Sequence, residues 1–263
     1  MSTLSYAVTD SVTMLRRQLR HMQRYLSMTL MLIGMPIVFL LLFVYVFGGT
    51  LGAGLGGPSG GRATYVQYVT PGILLMTVAA VAQGTAISVA MDMTEGIVAR
   101  FKTMAIFRPS VLTGHVLGSM IETMLSLAVV MAVALAIGFR PSATPVEWVA
   151  TAGVLALITL AVTWLCVALG MVTKTVEAAS NLPMPLVFLP FLGSGFVPTG
   201  SMPTWLRWFA EYQPFTPVIE TVRGLLLGTA IGDSAAIAVA WGAGITLAGY
   251  LWARKLYNRD PVR

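Results

Sequence analysis

The sequence predicts an all-α integral membrane protein with six transmembrane helices. Apolar residues make up 57% of the 263 residues and charged residues only 10%, whereas a soluble domain carries about 25% charged residues. Uncharged apolar runs of about 20 residues have the length that crosses a bilayer as a helix. Six segments qualify or nearly qualify: 28–48, 69–91, 111–139, 148–172, 178–197 and 234–252. The whole chain, 1–263, is predicted to be one transmembrane domain.

An amphipathic helix over 3–26 is predicted to precede the first span. Apolar residues recur there at spacings of three and four, and Arg16, Arg20 and Arg24 align on another face. Such a helix lies in the membrane interface, with its apolar side in the lipid and its arginines toward the phosphates. It serves either as a simple anchor or also as a contact for a cytoplasmic partner.

A glycine-rich segment from Gly48 to Arg62 is expected to form a loop after the first span. Gly52, Gly54 and Gly57 match the spacing of a dinucleotide-binding motif, but no strand precedes them and no helix is expected to open after them. Such glycines bind phosphate only in that strand-to-helix context. The chain also lacks the Gly-Lys-Ser/Thr ending of a P-loop. We therefore expect no nucleotide site of this kind in the chain.

A short amphipathic helix over 93–106 is predicted between the second and third spans. Asp92 and Glu95 resemble an N-terminal capping pair, and Ile97, Phe101 and Met104 share one face. Such a helix is well placed to transmit force from a soluble partner to the membrane. Alternatively, it is a basic interfacial helix without a partner.

The distribution of basic residues predicts the orientation of the chain. With six spans, twelve of the 16 Lys and Arg residues fall on the side that holds both termini. The positive-inside rule puts that side in the cytoplasm. Because basic loops that face anionic lipid explain the net charge of +6, no nucleic acid partner is expected. Two separated histidines and one cysteine, Cys166, predict neither a metal site nor an internal disulfide.

A few polar residues fall inside the predicted spans. His115, Ser119 and Glu122 form a stripe on the third span. A carboxylate in the membrane is costly and faces a cavity or a partner helix. Glu122 is therefore either a structural hydrogen-bonding group or part of a proton pathway. Candidates for a translocation path lie in the second span and in the proline-interrupted fifth span, with ordinary helix packing as the alternative: Gln83, Thr85, Ser88, Asn181 and Phe188.

A helical hairpin over 201–228 is predicted before the last span. Four prolines and four charges lie between Phe196 and Gly228, and charges of this number disfavour a regular span. Ser201 is expected to cap the first short helix, and Gly228 to end the second. The aromatic residues suit a hairpin that re-enters the outer leaflet. The hairpin residues are Pro203, Trp205, Trp208, Pro214, Phe215, Pro217, Glu220 and Arg223.

Several stretches together resemble a known family. They are Phe196-Val-Pro-Thr-Gly-Ser-Met-Pro-Thr-Trp-Leu, Gln213-Pro-Phe-Thr-Pro, Glu220-Thr-Val-Arg223-Gly, and Glu95-Gly96 with Arg100-Phe101-Lys102. With them the chain resembles the ABC-2 type permeases, especially the daunorubicin-resistance-like membrane subunits. It differs from the subgroup at Met104-Ala105, where Leu-Pro is frequent, and at His115, where a basic residue is frequent.

The resemblance implies the membrane subunit of an ATP-driven exporter with the type V architecture. Two permease subunits, identical or different, would associate with two separate ATPase subunits that bind ATP and Mg, so this chain needs no cofactor and is not itself an enzyme. Spans two and five would line the path of an amphipathic substrate (a drug, a lipid or a lipid-linked glycan), and the hairpin would seal its outer end. The complex would lie in the plasma (inner) membrane.

The segment that would contact the ATPase, by the same resemblance, comprises Glu95, Gly96, Ile97, Arg100, Phe101, Lys102 and Met104. The competing interpretations are a self-standing proton-coupled carrier that uses Glu122 and a purely structural or assembly subunit. A lipid-modifying enzyme is disfavoured, because the chain has no cluster of acids, histidines or a nucleophile near one membrane face.

Overall fold

The computed structural model describes residues 12–18, 26–55, 61–97 and 109–258, and all regular structure in these ranges is helical. Five helices there are long and apolar enough to cross a membrane: Leu30–Gly54, Arg62–Thr94, Val111–Ala136, Pro145–Val172 and Ser234–Tyr257. The prediction of an all-α membrane protein is confirmed. The count of six spanning helices is not.

The helices are numbered here in chain order. α1 covers residues 12–18, within the helix predicted over 3–26, and the rest of that prediction lies outside the described residues. The others are α2 (Leu26–Leu42), α3 (Gly48–Gly54), α4 (Arg62–Thr94), α5 (Pro109–Ala136), α6 (Pro145–Val172), α7 (Val176–Asn181), α8 (Met184–Phe188), α9 (Thr204–Tyr212), α10 (Phe215–Leu227) and α11 (Ser234–Tyr257).

Helix α4 occupies the centre of the bundle and packs against α2, α5, α6, α7, α8 and α10. Most of its residues are buried, as expected of a helix that is apolar on all sides. Close approach depends on small residues, because a Cβ at Gly170 of α6 would lie only 2.5 Å from the carbonyl oxygen of Ala86. Such small-residue contacts are typical of helices packed in membranes.

Helices α2 and α11 present large apolar side chains to the outside of the bundle. Met31 and Leu30 on α2 and Leu247 and Leu251 on α11 are all more than half exposed. A contiguous exposed apolar face of this kind marks a surface that contacts lipid or another protein chain. The arrangement is that of an integral membrane protein.

The glycine-rich segment after the first span is not simply a loop, so that expectation is wrong for its first part. A π-helical turn, Phe43–Phe47, continues α2 directly into α3. Gly52 lies against the backbone of Gly61, where any side chain would clash. Gly52 therefore serves close packing of α3 against the residue that precedes α4.

The segment predicted as the fifth span, 178–197, does not form one helix. The short helices α7 and α8 are separated at Pro183, and residues 189–197 form turns. Prolines at 183, 185 and 190 lack the N–H groups that a continuous helix needs. In the turns, hydrogen bonds join residues three apart instead of four, for example from Phe191 N–H to Phe188 O at 3.0 Å.

Side chains from other parts of the bundle donate to carbonyl groups of this broken segment. Gln213 Nε2 donates to Leu189 O at 3.0 Å, Arg223 Nη2 to Ser194 O at 2.6 Å, and Tyr65 Oη to Phe196 O at 3.2 Å. Irregular backbone at membrane depth is tolerated only when its polar groups are satisfied in this way. These bonds also join the segment to α4 and α10.

The hairpin region contains two helices, α9 and α10, separated at Pro214. Ser201 does not cap α9, so that expectation is wrong: Ser201 lies in a 3-10 turn and its hydroxyl donates to Pro198 O at 2.8 Å. α10 ends at Gly228, whose φ of +70° favours glycine. α10 is largely buried, while α9 has only Ala210 buried.

Candidate transport site

A cavity of about 450 Å³ opens beside the centre of the bundle, between α2, α4, α7 and α8. Its wall is almost entirely apolar and rich in methionine: Met31, Leu32, Met35, Phe39, Met76, Ala80, Gln83, Ile87, Ser180, Met184, Val187, Phe188 and Phe191. The exposure of Met31 and Phe188, 68% and 53%, shows that the cavity is open to the surface of the bundle. An apolar concavity of this size with few polar groups suits a small-molecule ligand.

Gln83 supplies the main polar group of this cavity. Its Nε2 donates to the carbonyl oxygen of Ser180 at 2.5 Å, which links α4 to the proline-interrupted segment. The amide oxygen of Gln83 is an acceptor. One neutral amide in an apolar wall favours an uncharged or amphipathic ligand over an ion, because burying an unpaired charge is costly.

Of the residues predicted to line a path, the structure brings only Gln83 and Phe188 into this cavity. Thr85 is buried and donates to Ser119 Oγ at 2.7 Å. Ser88 faces α1, where it accepts a hydrogen bond from Gln18 Nε2 at 3.5 Å. Asn181 is exposed at the end of α7. Helix geometry explains why Thr85 and Ser88 lie outside the cavity. They follow Gln83 by two and five residues, and these spacings place them on other sides of α4.

An aromatic cluster borders one end of the cavity. The rings of Phe191 and Phe196 stack at 4.1 Å between centroids, and Phe43 lies 4.8 Å from Phe196. Phe39 meets Phe191 edge to face at 5.8 Å. Such ring contacts stabilise the fold by more than the burial of their apolar surface alone. They hold the π-helical turn of the first span against the broken segment.

Arg223 lies behind this cluster as a buried cation. It pairs with Glu220 Oε1 at 2.8 Å, donates to Tyr68 O at 3.1 Å, and its guanidinium lies 4.0 Å from the centre of the Tyr68 ring. Together with its bond to Ser194, these contacts tie α10 to α4 and to the broken segment. Glu220 and Arg223, three residues apart in the predicted hairpin, therefore form one part of a larger network.

The other predicted hairpin residues divide between surface and interior. Trp205 and Trp208 on α9 are 73% and 66% exposed, whereas Phe215 on α10 is buried. Pro203 precedes α9, Pro214 precedes α10, and Pro217 is buried in the first turn of α10. α9 thus presents an aromatic surface, and α10 anchors the pair in the bundle.

An ionic cluster lies near the C-terminal end of α4, far along the helix from Tyr68 and its contact with Arg223. The Asp92 carboxylate is 2.6 Å from Arg17 Nη2 and 3.1 Å from His115 Nε2. The expected capping role of Asp92 is wrong, because Asp92 lies inside α4 and not at the start of a new helix. Arg17, the neighbour of Arg16 on the N-terminal helix, thus contacts α4 through this carboxylate.

The stripe predicted on the third span is also divided. His115 and Ser119 are buried, in contact with α4, while Glu122 is half-buried. Ser119 lies between Thr85 Oγ1 at 2.7 Å and Thr163 Oγ1 at 3.5 Å. These hydroxyls join α4, α5 and α6 through a polar seam in the interior of the bundle.

The predicted ATPase-contact segment is described only at its beginning. α4 ends at Thr94, Glu95 is exposed, and Gly96 has a φ of +71°, which turns the chain away from the helix axis. Ile97 is the last described residue before the gap. Arg100, Phe101, Lys102 and Met104, and most of the helix predicted over 93–106, lie outside the described residues; Met93 and Thr94 belong to α4.

Sequence reasoning missed the charged partners of the buried groups. Arg17 and Asp92 are 75 positions apart, and no local pattern links such residues. The sequence did offer one chemical indication. Asp92 follows an apolar run, and a carboxylate in such a place needs a cationic or hydrogen-bonding partner. Among the described residues no group of three or more potential metal ligands occurs.

These features define an integral membrane bundle with a surface cavity and a buried ionic cluster. The family model for the ABC-2 type transporter matches residues 9–227. The chain belongs to the ABC-2 type transporter family.

Two curated relatives agree with this assignment. A daunorubicin resistance ABC transporter permease protein of Streptomyces coeruleorubidus is 29% identical over 167 residues, which cover 63% of this chain and 59% of the relative. A probable doxorubicin resistance ABC transporter permease protein of Mycobacterium tuberculosis is 22% identical over 160 residues, 61% of this chain and 58% of the relative. The matched region therefore spans less than two thirds of either relative.

Proposed function

We propose that this protein is the membrane-spanning permease subunit of an ATP-driven exporter. It moves an amphipathic substrate (a drug, a lipid or a lipid-linked glycan) out of the cytoplasm. The observation that carries the proposal is the methionine-rich cavity of about 450 Å³ with the single amide of Gln83, in a chain of the ABC-2 family. Flexible methionine side chains adapt to ligands of different shape.

The substrate class is supported by the cavity and by the relatives. Daunorubicin and doxorubicin, named in the relatives' descriptions, are amphipathic: each joins a flat aromatic ring system to a sugar that carries an amino group. The wall offers Phe39, Phe188 and Phe191 for stacking and Gln83 for a hydrogen bond. Phe188 and Met31 at its mouth are exposed on the side that would face lipid, which supports entry of a membrane-dissolved substrate.

The energy source would be a separate ATPase. The proposed complex contains two permease subunits, identical or different, and two ATPase subunits that bind ATP and Mg. Both termini lie in the cytoplasm and the complex lies in the plasma (inner) membrane. ATP-driven closure of the ATPases would push the segment after Gly96 and alternate the spans between inward-open and outward-open states. The hairpin of α9 and α10 closes the outer end.

Isolation of the chain from its native membrane in mild detergent tests this function. We expect a P-loop ATPase to co-purify in stoichiometric amount. In proteoliposomes that contain the complex and ATP, we expect transport of doxorubicin, which serves as the test substrate. A chain that purifies without any ATPase, and that transports with a proton gradient alone, would contradict the proposal. That result would favour the proton-coupled carrier, and Glu122→Gln would then abolish the gradient-driven transport.

A further inference from the structure

The N-terminal helix α1 is docked on the bundle through one face. Met14 is buried against Gly114 of α5, where a Cβ on the glycine would lie 2.6 Å from Met14 Cβ. Gln18 lies over Gly118, one turn further along α5. Val12 and Arg16, on the remaining surface, are exposed. The docked face therefore consists of positions 14, 17 and 18, which are adjacent on a helix.

The same face reaches α4 through two polar contacts. Arg17 donates to Asp92 Oδ1 at 2.6 Å, and Gln18 Nε2 donates to Ser88 Oγ at 3.5 Å. Ser88 and Asp92 are four residues apart, so both lie on the side of α4 that faces α1. α1 is thus held by glycine contacts on α5 and by hydrogen bonds on α4.

Asp92 is the junction of these contacts. Its second oxygen, Oδ2, lies 3.1 Å from His115 Nε2 of α5, and its side chain is only 9% exposed. Three helices therefore meet at one carboxylate. Removing one partner of a buried charged cluster leaves the others unpaired, which costs more than a surface ion pair contributes.

The position of Asp92 along α4 gives this junction a mechanical consequence. α4 ends at Thr94, two residues later, and the turn at Gly96 begins the segment proposed to contact the ATPase. A displacement of that segment is therefore transmitted first to the last turn of α4. Without the ionic cluster, this last turn could move relative to α1 and α5, because helix ends unfold most readily.

We propose that Asp92 is a positioning residue that joins α1, α5 and the end of α4 into one unit, so that displacement of the segment after Gly96 moves all three together. This inference rests on the proposed function. It predicts that loss of the Asp92 charge uncouples ATP hydrolysis from movement of the spans. The complex of this chain with its ATPase should still assemble.

The test uses the complex of this chain with its ATPase in lipid nanodiscs. A reporter cysteine, Met31→Cys, lies in the cavity wall, and the native Cys166 is fully buried. The rate of maleimide labelling at the reporter is measured with and without ATP and vanadate, beside the basal rate of ATP hydrolysis. This readout needs no knowledge of the transported substrate.

We expect Asp92→Asn to keep the ATPase bound and its basal hydrolysis near the wild-type rate, while the ATP-dependent change in labelling falls about tenfold. Arg17→Gln should have the same effect. His115→Gln, which retains a donor near Nε2, should have a smaller effect. The matched control is Glu211→Gln, which removes the carboxylate of the exposed Arg207–Glu211 pair, and it should behave like the wild type.

A conservative exchange at Arg17 provides the decisive pair of variants if Asp92→Asn fails to accumulate. Arg17→Lys keeps a cation beside Asp92 and leaves the contact of Asp92 with His115 in place, so it should retain the labelling change that Arg17→Gln lacks. A wild-type response in Asp92→Asn or in Arg17→Gln, or a folded Arg17→Lys variant with no labelling response, would overturn the inference. Failure of the proposed function looks different: the wild-type chain would then bring no ATPase, and its labelling would not respond to ATP.

Discussion

At the scale of single residues, Arg223 is a buried cation held by several polar contacts. Its guanidinium bonds two backbone carbonyls and one carboxylate and lies over the Tyr68 ring, while the side chain is 9% exposed. Hydrogen bonds to a charged group are worth more than neutral ones. The guanidinium therefore stabilises the broken segment from the side of α10.

We expect Arg223→Gln to lower the free energy of unfolding by about 2–4 kcal/mol, because Ser194 O and Tyr68 O lose a charged donor. The control is Arg207→Gln, whose exposed pair with Glu211 should contribute less than about 1 kcal/mol. Thermal unfolding of both variants in the same detergent measures the difference. Equal stability of the two variants would contradict the importance given to the buried network.

Single residues also show where local sequence patterns mislead. Asp92 followed by Glu95 has the spacing of a capping pair, but α4 continues through Asp92 to Thr94, and the Asp92 carboxylate pairs with Arg17 and His115. The capping pattern reflects only neighbours in the chain. The partners that decided the structure are distant in sequence, so no spacing rule could have found them.

At the scale of elements, the docking of α1 depends on the glycines of α5. The Gly114-x-x-x-Gly118 spacing predicts close helix packing, and the structure shows which helix approaches: α1, through Met14 and Gln18. Small residues four apart form a groove on one side of a helix. The spacing does not identify the partner helix.

Gly114→Leu should displace α1 from α5, because the new side chain would occupy the space of Met14. Overpacking of this kind costs about 1–3 kcal/mol, and α1 should become more accessible to protease. Gly153→Leu is the matched control, since a Cβ there meets nothing within 4 Å. Limited proteolysis of the N-terminal segment reads out both variants. Equal protection would show that α1 is not held by this contact.

The predicted ATPase-contact helix can be tested by its apolar face. Phe101→Asp places a charge among Ile97 and Met104 and should lower ATP-dependent transport about tenfold or more, because a buried unpaired carboxylate opposes docking on the ATPase. Thr103→Asp, on another face of the same predicted helix, is the control. Membrane insertion of both variants should be normal. Full transport by Phe101→Asp would contradict the contact.

At the scale of the whole molecule, the cavity lies where the fifth segment is broken into short helices. α7 and α8 are separated at Pro183, and residues of both form the wall that faces α2 and α4. The hydrogen bond from Gln83 to Ser180 links α4 to α7, and the aromatic cluster holds the first span against the broken segment, so the walls of the cavity are fixed relative to one another. The transport proposal rests on this shape and not on any one residue.

Filling the cavity should reduce transport without unfolding the protein. Ala80→Phe adds a ring to the cavity wall, and we expect the affinity for doxorubicin to fall about tenfold, since a ligand of this class needs most of the volume. Ala243→Phe on the exposed surface of α11 is the control. Fluorescence quenching of doxorubicin measures binding to both. Unchanged affinity in Ala80→Phe would place the substrate elsewhere.

Hydropathy and residue spacing alone determined the membrane class, the helical composition and the family resemblance, because each depends on local composition or on contiguous motifs. Five of the six predicted spans correspond to long apolar helices, and prolines marked the remaining one, the fifth in chain order, as interrupted. Tertiary structure alone decided the rest. It determined that the broken segment leaves a cavity, that only Gln83 and Phe188 of the predicted path residues reach it, and that Asp92 joins three helices. These outcomes depend on contacts between residues far apart in the chain, where the need to satisfy buried charges and carbonyls selects one packing.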